Sequence, residues 1–511
     1  MKYRIAAFTA ALAAAPAFAM PTAILQDSGN APNSFADGID GTLQFDRFDR
    51  PTKSGTGNYW IMLVRVGDGN TEALITGSGT SYNLVAVENV TEFEPGRTWG
   101  SSDRYADINS SGDWVHIGNL NGGATDDDEV IYAGSFDGSV LSIPFREGQT
   151  IATGDTLGSA NYGPGITDSG EISFGWSSPS STSDVSYYTA NGTNAVLRNG
   201  DTFFLTVPDR QVTFSTASFS GRNAFQTTSD GSSYFAMGSI NDGGTDLRVV
   251  VDNGDLRSIQ GSTNGGKVIE QAFGEQNVLQ DDGTWLSRVL FADDTGGALR
   301  NGMAIVATGN LVSTDNTFPG ERFSNVPWTA SSDTTLAIAT RDSSGNRVFG
   351  GFTDNPNPDL NFVWVYNNTY EILRTGDQID LDADGTLDDA FIYTPNLASA
   401  SPPQLGGFLA DDDWFYTVVA WRSADGQTTG DAFIRVSALR PACSPADLSS
   451  GINPGTPDGI LTGADFFEFL SRFQAGDLSV DFSSPLNPGV PDGVLTGADF
   501  FQFLNLFSQG C

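Results

Sequence analysis

Aspartates near the end of the chain recur at the spacing of calcium ligands. The segment 447–473 repeats at 481–507 with a constant offset of 34 residues, which indicates a duplicated unit. In each copy an Asp-Gly pair and a later Asp match positions 5, 6 and 12 of a twelve-residue calcium loop, while the first acid stands about seven residues too early. The candidate ligands are Asp447, Asn453, Asp458 and Asp465 in the first copy and Asp481, Asn487, Asp492 and Asp499 in the second. The sequence therefore predicts two elongated calcium loops.

A second interpretation of the same aspartates needs no metal. Thr462 precedes Asp465 by three residues at the start of an apolar segment, and Thr496 precedes Asp499 in the same way. This is the spacing of a capping box, in which the Thr side chain caps a helix and the acid reaches back to the cap. Capping and calcium binding are both compatible with the sequence.

A further acidic loop lies in the stretch 380–388, which reads D-x-D-x-D-G-x-x-D. Its carboxylates can converge on one calcium ion around the glycine turn, and without a cation they would repel one another. They belong to Asp380, Asp382, Asp384 and Asp388. Phe391 stands where an EF-hand has its final glutamate, so the stretch resembles the calcium hairpin loops of integrin-type propellers. A plain acidic turn is the alternative.

Each copy of the duplicated unit ends in a short apolar segment with helical periodicity. Phe466, Phe467, Phe469, Leu470 and Phe473 stand at i, i+1, i+3, i+4 and i+7, and the second copy repeats this spacing. Because so short a helix is not stable alone in water, the two helices are expected to pack against each other.

The repeated PDG-x-LTGADFF pattern and the final Gly510-Cys511 resemble the dockerin-like modules of secreted bacterial proteins, in the variant that ends in Gly-Cys. The resemblance covers residues 443–511. It implies an EF-hand-like pair of loop–helix units that binds calcium. It also implies docking to a partner protein, such as a cohesin-like module or a cell-surface receptor.

Cys443 and Cys511 are the only cysteines, and they bracket the duplicated unit. In an oxidising compartment such a pair most simply forms one disulfide. Two free thiols, or a link from Cys511 to another molecule, are the alternatives.

The start of the chain predicts export. Lys2 and Arg4 precede an apolar run that ends before a small-x-small cleavage pattern at 17–19, so residues 1–19 are expected to be a signal peptide. The run is too short to span a bilayer, and no membrane span is expected after cleavage. The net charge is −37, which argues against a nucleic-acid partner. We expect a secreted protein, extracellular or associated with the cell surface.

Residues 20–440 predict an all-β domain, and residues 441–511 a small helical one. Short β-branched and aromatic runs alternate with polar turns, and a turn followed by a large apolar residue recurs seven times at steps of 51 to 78 residues. The recurring residues are Trp60, Trp114, Ile172, Tyr234, Trp285, Leu336 and Trp414. A second repeated pattern, a turn followed by a short strand, occurs at 192–203, 251–259 and 367–379. This pattern predicts a seven-bladed β-propeller, with β-sandwiches or a solenoid as the alternative.

The residue inventory argues against several kinds of catalysis, and the many acidic residues show no spacing that identifies a catalytic pair. His116 is the only histidine and is expected to be structural, and the ligands for zinc are missing. The repeated tryptophans could stack on sugars but are expected in the core. The sequence therefore favours a non-catalytic propeller displayed through a calcium-binding docking module. The alternatives are an extracellular polysaccharide hydrolase or lyase with acidic catalytic residues, and a structural envelope protein in which the propeller is a spacer.

Overall fold

The structure is a computed structural model. It describes residues 20–27, 44–49, 51–53, 57–67, 71–100, 106–123, 125–159, 161–206, 209–216, 225–242, 245–264, 267–293, 295–313, 317–324, 336–339, 346–367, 369–393, 407–438, 444–449, 457, 461–485 and 489–509. The chain divides into two compact units, of which one is Pro21–Val436 and the other contains Ser437–Cys511. The predicted signal peptide, Cys443 and Cys511 lie outside the described residues, so cleavage and the disulfide stay predictions.

The larger unit consists of β-sheets of four to six strands. Its first strand, β1 (Thr22–Gln26), belongs to the last sheet. Blade 1 contains β2 (Phe45–Phe48), β3 (Thr52–Lys53), β4 (Tyr59–Val66), β5 (Thr71–Ser78) and β6 (Ser81–Val87). Blade 2 contains β7 (Glu92–Glu94), β8 (Arg97–Gly100), β9 (Ala106–Ile108), β10 (Trp114–Asn121), β11 (Glu129–Gly134) and β12 (Leu141–Arg146). Blade 3 contains β13 (Asn161–Ile166), β14 (Ile172–Ser178), β15 (Ser181–Thr189) and β16 (Asn194–Arg198).

The remaining blades follow in chain order. Blade 4 contains β17 (Thr202–Thr206), β18 (Asp209–Ser215), β19 (Phe225–Thr227), β20 (Tyr234–Asp242), β21 (Thr245–Asp252) and β22 (Asp255–Ile259). Blade 5 contains β23 (Thr263–Asn264), β24 (Lys267–Leu279), β25 (Trp285–Phe291), β26 (Gly296–Arg300) and β27 (Met303–Ala307). Blade 6 contains β28 (Leu336–Ala339), β29 (Val348–Phe352), the short 3-10 helix Pro358–Leu360, β30 (Phe362–Tyr366) and β31 (Tyr370–Arg374). Blade 7 contains β32 (Phe391–Tyr393), β33 (Gly407–Leu409), β34 (Trp414–Arg422), β35 (Thr429–Ser437) and β1.

The innermost strands of the sheets close a ring. Neighbouring blades contact each other in the order β3, β9, β13, β19, β24, β28 and β33, and β33 returns to β3. Strand β1 pairs antiparallel with β35, so β1 completes the last blade. The seven-bladed β-propeller predicted from the repeats is confirmed, and the sandwich and solenoid alternatives are wrong.

Aromatic residues at the start of the second strand of a blade form the blade cores. Trp60 and Trp114 are fully buried, and each lies opposite a glycine of the third strand, Gly77 or Gly134. A Cβ atom at Gly134 would stand 2.4 Å from the Trp114 ring, so only glycine leaves room for the indole. These tryptophans are core residues, as expected, and are not available to stack on sugars.

One residue of the sevenfold repeat, Leu336, was assigned to the wrong strand of its blade from the sequence. Leu336 lies on β28, the inner strand of blade 6, whereas the second strand of that blade begins at Val348. Both kinds of strand follow a polar turn with apolar residues, so the pattern alone does not separate them. This shift explains the long step of 78 residues before Trp414.

The described residues of the smaller unit form two α-helices, α1 (Gly463–Ala475) and α2 (Gly497–Gln509), and the 3-10 helix Leu478–Val480. Phe469 and Phe503 are fully buried and stack with ring centroids 4.2 Å apart, so the two copies pack against each other as predicted. Phe467 and Phe501 were expected on the same apolar face but are 70% and 71% exposed. A helix turns by 100° per residue, so the residue after Phe466 or Phe500 points away from the buried face.

Candidate functional site

Three of the four aspartates predicted in the loop 380–388 come together. One carboxylate oxygen from each of Asp380, Asp382 and Asp384 lies within 4.8 Å of the others. Asp380 starts the loop, and its two oxygens accept hydrogen bonds from the backbone N–H groups of Asp384 (3.2 Å) and Gly385 (3.1 Å). Gly385 has a φ of +89°, which an L side chain would rarely adopt, so glycine is required at the turn.

Asp388, the fourth predicted ligand, has another partner. Its Oδ2 atom accepts a hydrogen bond of 2.7 Å from the backbone N–H of Leu381, at the opposite side of the loop. Burial raises the pKa of Asp380, and the charges of Asp384 and Asp382 raise it further, while two backbone hydrogen bonds oppose the shift. A divalent cation among these carboxylates would remove the repulsion and favour their ionised form.

The loop is attached to the strand that closes the ring. The N–H of Asp380 donates to the carbonyl of Pro21, and the N–H of Ala23 donates to the carbonyl of Asp380, both at 2.9 Å. The side-chain amide of Gln26 donates to the carbonyl of Leu381 at 2.8 Å. The acidic loop therefore covers the edge of β1 that does not pair with β35.

The second C-terminal loop reproduces this arrangement. Asp481 accepts hydrogen bonds from the backbone N–H groups of Asp492 (3.3 Å) and Gly493, as Asp380 does from Asp384 and Gly385. Asp492 in turn accepts from the N–H of Val494 at 3.0 Å. Asp481 therefore keeps the place of a first ligand, although about seven more residues separate it from the Asp-Gly pair than in a standard loop. Asn487 lies outside the described residues.

The sequence interpretation missed a serine in each loop. Ser449 and Ser483 stand two residues after Asp447 and Asp481, where Asp382 follows Asp380. The Oγ atom of Ser483 accepts a hydrogen bond of 3.0 Å from the N–H of Gly489, between Asp481 and Asp492. The shared offset of two residues was visible in the repeat and could have revealed this position.

Asp465 and Asp499 act as helix caps. Oδ1 of Asp465 accepts from the N–H groups of Leu448 (2.7 Å) and Ser449 (2.8 Å), and Oδ2 accepts from Thr462 N–H (2.7 Å) and Oγ1 (3.2 Å). Asp499 is bound in the same way in the second copy. The capping box is confirmed, and with two donors on each oxygen, coordination of a metal by these residues would require bonds to break. Their role as calcium ligands stays a prediction.

The first copy is described only in part. Asp447 is buried, with 2% of its surface exposed, at the position equivalent to Asp481. Asn453 and Asp458 lie outside the described residues, so the structure does not show whether they approach Asp447.

Two buried carboxylates lie close together beside blade 6, as an acid–base pair would. Glu321 and Glu371 both accept from Nη2 of Arg374, at 2.6 and 2.7 Å, and their side chains are 3% and 4% exposed. Thr317 and Thr353 donate further hydrogen bonds to these two glutamates. With its acceptors occupied and no exposed face, the pair holds the segment around Glu321 against blade 6 and has no access to a substrate.

The single histidine is structural, as expected. His116 is fully buried on β10, with its ring 5.6 Å from Trp99 and 6.3 Å from Tyr132. A side chain enclosed by aromatic rings has no contact with a substrate and cannot serve as an exposed general base.

Exposed aromatic rings mark a surface on the smaller unit. Phe467 contacts Phe466, Phe466 contacts Phe500, and Phe500 contacts Phe501, with centroid distances of 6.0, 6.5 and 5.9 Å. We call these four rings the aromatic row. The two inner rings, Phe466 and Phe500, are half-buried, and the two outer rings, Phe467 and Phe501, are exposed. Each copy of the repeat therefore contributes one half-buried and one exposed ring to the row.

Comparison with known proteins assigns no family. No family model matches the chain, and no curated protein matches it. Among solved structures, a polysaccharide lyase is 8% identical with a TM-score of 0.36, over 83% of this chain and 99% of the lyase. Prolyl oligopeptidase B from Galerina marginata is 10% identical with a TM-score of 0.33, over 80% of this chain. The match covers 49% of that enzyme, so the chain spans about half of its length.

A neuraminidase-like protein of an isolate from a flat-faced bat is 10% identical with a TM-score of 0.27, over 77% of this chain and 96% of that one. Similarities this low assign no activity, and the propeller fold rests on the sheet topology. Neither helix among the described residues is long and apolar enough to cross a membrane.

Proposed function

We propose that the chain is an exported β-propeller protein that is displayed or anchored through its C-terminal unit, which binds calcium and docks a protein partner. The aromatic row carries this proposal. Exposed phenyl rings cost free energy in water, so a row of four rings that spans both copies is expected to be covered by another molecule.

The chemistry of the partner follows from the surface. Residues 441–511 contain eight acidic residues and a single arginine, Arg472. A partner that fits this unit offers apolar pockets for Phe467 and Phe501 and a rim of basic side chains. The Gly-Cys-ended dockerin-like modules that this segment resembles dock partner modules, which agrees with the proposal.

Docking is tested by retention of a partner from the cell envelope of the producing organism on the immobilised full chain. Phe467→Asp and Phe501→Asp together are expected to abolish retention, because a carboxylate cannot enter an apolar pocket. Leu478→Asp is the matched control, since Leu478 is 55% exposed and lies outside the row. Equal retention of the same protein by the double variant and the control would contradict the proposal.

Calcium is proposed at two kinds of loop. In the propeller, the converging carboxylates of Asp380, Asp382 and Asp384 support a site, because three acids at this distance favour a divalent cation. In the C-terminal unit, the matching hydrogen bonds of Asp481 and Asp380 support a second kind of site. Calcium there would hold the elongated loops of the two copies in the shape that positions the two helices.

Calorimetric titration of the full chain after treatment with a chelator tests these sites. Asp382→Asn with Asp384→Asn is expected to remove one calcium site, and Asp481→Asn with Asp492→Asn is expected to remove another. Asp113→Asn, at an exposed turn of blade 2, should leave the number of sites unchanged. Unchanged stoichiometry in either double variant would show that its loop is an acidic turn without a metal.

A further inference from the structure

We propose that Asp27 makes the closure of the propeller sensitive to pH. The pairing of β1 with β35 is more stable when the Asp27 carboxyl is neutral and less stable when this carboxyl is ionised. This inference is independent of calcium binding and docking.

Asp27 follows β1 directly and continues its pairing with the last blade. Its N–H donates to the carbonyl of Asp431 on β35 at 3.1 Å. The Oδ1 atom of Asp27 is buried and has no hydrogen-bond partner within the part of the chain that the structure describes. A Cβ atom built on Gly430 would lie 2.2 Å from this oxygen, so the carboxyl lies directly against the backbone of β35.

The groups around this carboxyl are mostly acidic. Asp431 of β35 and Asp46 of β2 lie within electrostatic range of it. Tyr393 of β32 also lies within electrostatic range of Asp27 and Asp431. The guanidinium of Arg422 lies over the Tyr393 ring and pairs with Asp359 at 2.7 Å. A carboxylate in this place therefore meets two like charges, while one of its oxygens has no donor among the described residues.

The direction of the pH effect follows from these surroundings. Burial raises the pKa of Asp27 to about 7, with help from the charges of Asp431 and Asp46, against an opposing backbone hydrogen bond from Asp431. In an opened strand the pKa is expected to return to about 4. Between these values the closed state binds a proton that the open state lacks, so closure weakens as pH rises from about 4 to about 7 and changes little above that.

Hydrogen exchange of the full chain at constant calcium tests the proposal. Protection factors, which correct for the intrinsic effect of pH on exchange, are compared for residues 20–27 and for β4 at pH 5 and pH 8. In the wild-type protein the protection of residues 20–27 should fall at least tenfold between the two pH values, while that of β4 should change less. Equal protection at both pH values would overturn the proposal.

Three variants separate Asp27 from its surroundings. Asp27→Asn is expected to abolish the pH dependence in residues 20–27, whereas Asp425→Asn, at an exposed turn of blade 7, should keep it. Asp46→Asn removes one neighbouring charge at an exposed position and so lowers the pKa of Asp27, which should make the fall in protection between pH 5 and pH 8 smaller even if Asp27→Asn fails to fold. A fall of wild-type size in Asp46→Asn, or any wild-type fall in Asp27→Asn, would assign the effect to other groups.

Discussion

At the scale of single residues, five aspartates illustrate three different environments. Asp465 and Asp499 are saturated by backbone and threonine donors, Asp380 and Asp481 hold the turns of acidic loops, and one oxygen of Asp27 has no donor among the residues that the structure describes. The sequence predicted the positions of the first four, but for Asp465 and Asp499 it could not choose between capping and metal binding. That choice depends on which N–H groups point at each carboxylate, and these come from residues about 16 positions away, such as Ser449 and Ser483.

Replacement of a capping aspartate tests this distinction. Asp465→Ala should lower the free energy of unfolding of the C-terminal unit by about 2–4 kcal/mol, because buried N–H groups of Leu448, Ser449 and Thr462 lose their acceptor. The same loss is expected with calcium and with chelator when thermal melting is followed. A loss that disappears in chelator would identify Asp465 as a ligand.

The pH dependence of the second cap has the opposite sign to that of Asp27. Burial would raise the pKa of Asp499, but hydrogen bonds from Thr496, Ser483 and Phe482 outweigh it and the pKa is lowered. Its stabilising effect is therefore complete above about pH 4 and is lost as the pH falls through the lowered value.

At the scale of elements, the sequence predicted turns better than strand positions. The second repeated pattern, a turn followed by a short strand, coincides with the hairpins β15–β16, β21–β22 and β30–β31. In the turns of these hairpins Asn191, Asn253 and Asn367 adopt positive φ. Asn191 and Asn253 accept a hydrogen bond from the backbone N–H of the residue that begins the second strand of their blade, both at 2.8 Å. Asn367 accepts one of 2.9 Å from Arg347, the residue just before that strand. Asn301 of blade 5 does the same and was overlooked, although Asn301-Gly302 is a strong turn signal.

The pairing of tryptophan with glycine inside a blade can be tested by one methyl group. Gly134→Ala should destabilise the propeller by about 1–3 kcal/mol, because the new Cβ atom overlaps the Trp114 ring and the carbonyl of Val140. Ser142→Ala on the adjacent strand β12 is the matched control, since Ser142 is exposed. Urea denaturation gives both values, and equal stability of the two variants would contradict a tight fit.

At the scale of the whole molecule, repeats predicted the number of blades, but the closure of the ring required the structure. Nothing in the sequence of β1 identifies it as the partner of β35, because its pattern TAILQ fits an edge strand of any blade. The link between the loop 380–388 and this strand was equally invisible, since it consists of backbone hydrogen bonds between distant segments. Patterns of spacing describe local units, whereas ring closure depends on contacts between the two ends of the propeller.

Removal of the closing strand tests its importance for the whole propeller. A chain that begins at Asp27 should lose the outer strand of blade 7 and melt at a lower temperature than a chain that begins at Met20. A synthetic peptide of residues 20–27, added in excess, is expected to restore part of the loss by pairing with β35. If the chain without β1 melts at the same temperature as the longer chain, the pairing of β1 with β35 contributes nothing to stability.

The pairing of β1 with β35 also sets a delay between synthesis and completion of the fold. Roughly 400 residues separate the two strands, and at a typical synthesis rate of about 5–20 residues per second the first strand waits for about 20–80 s before its partner exists. During this time β1 has apolar side chains and unpaired backbone groups, and blade 7 cannot be assembled. A chaperone that holds the emerging chain would therefore act longest on its first strand.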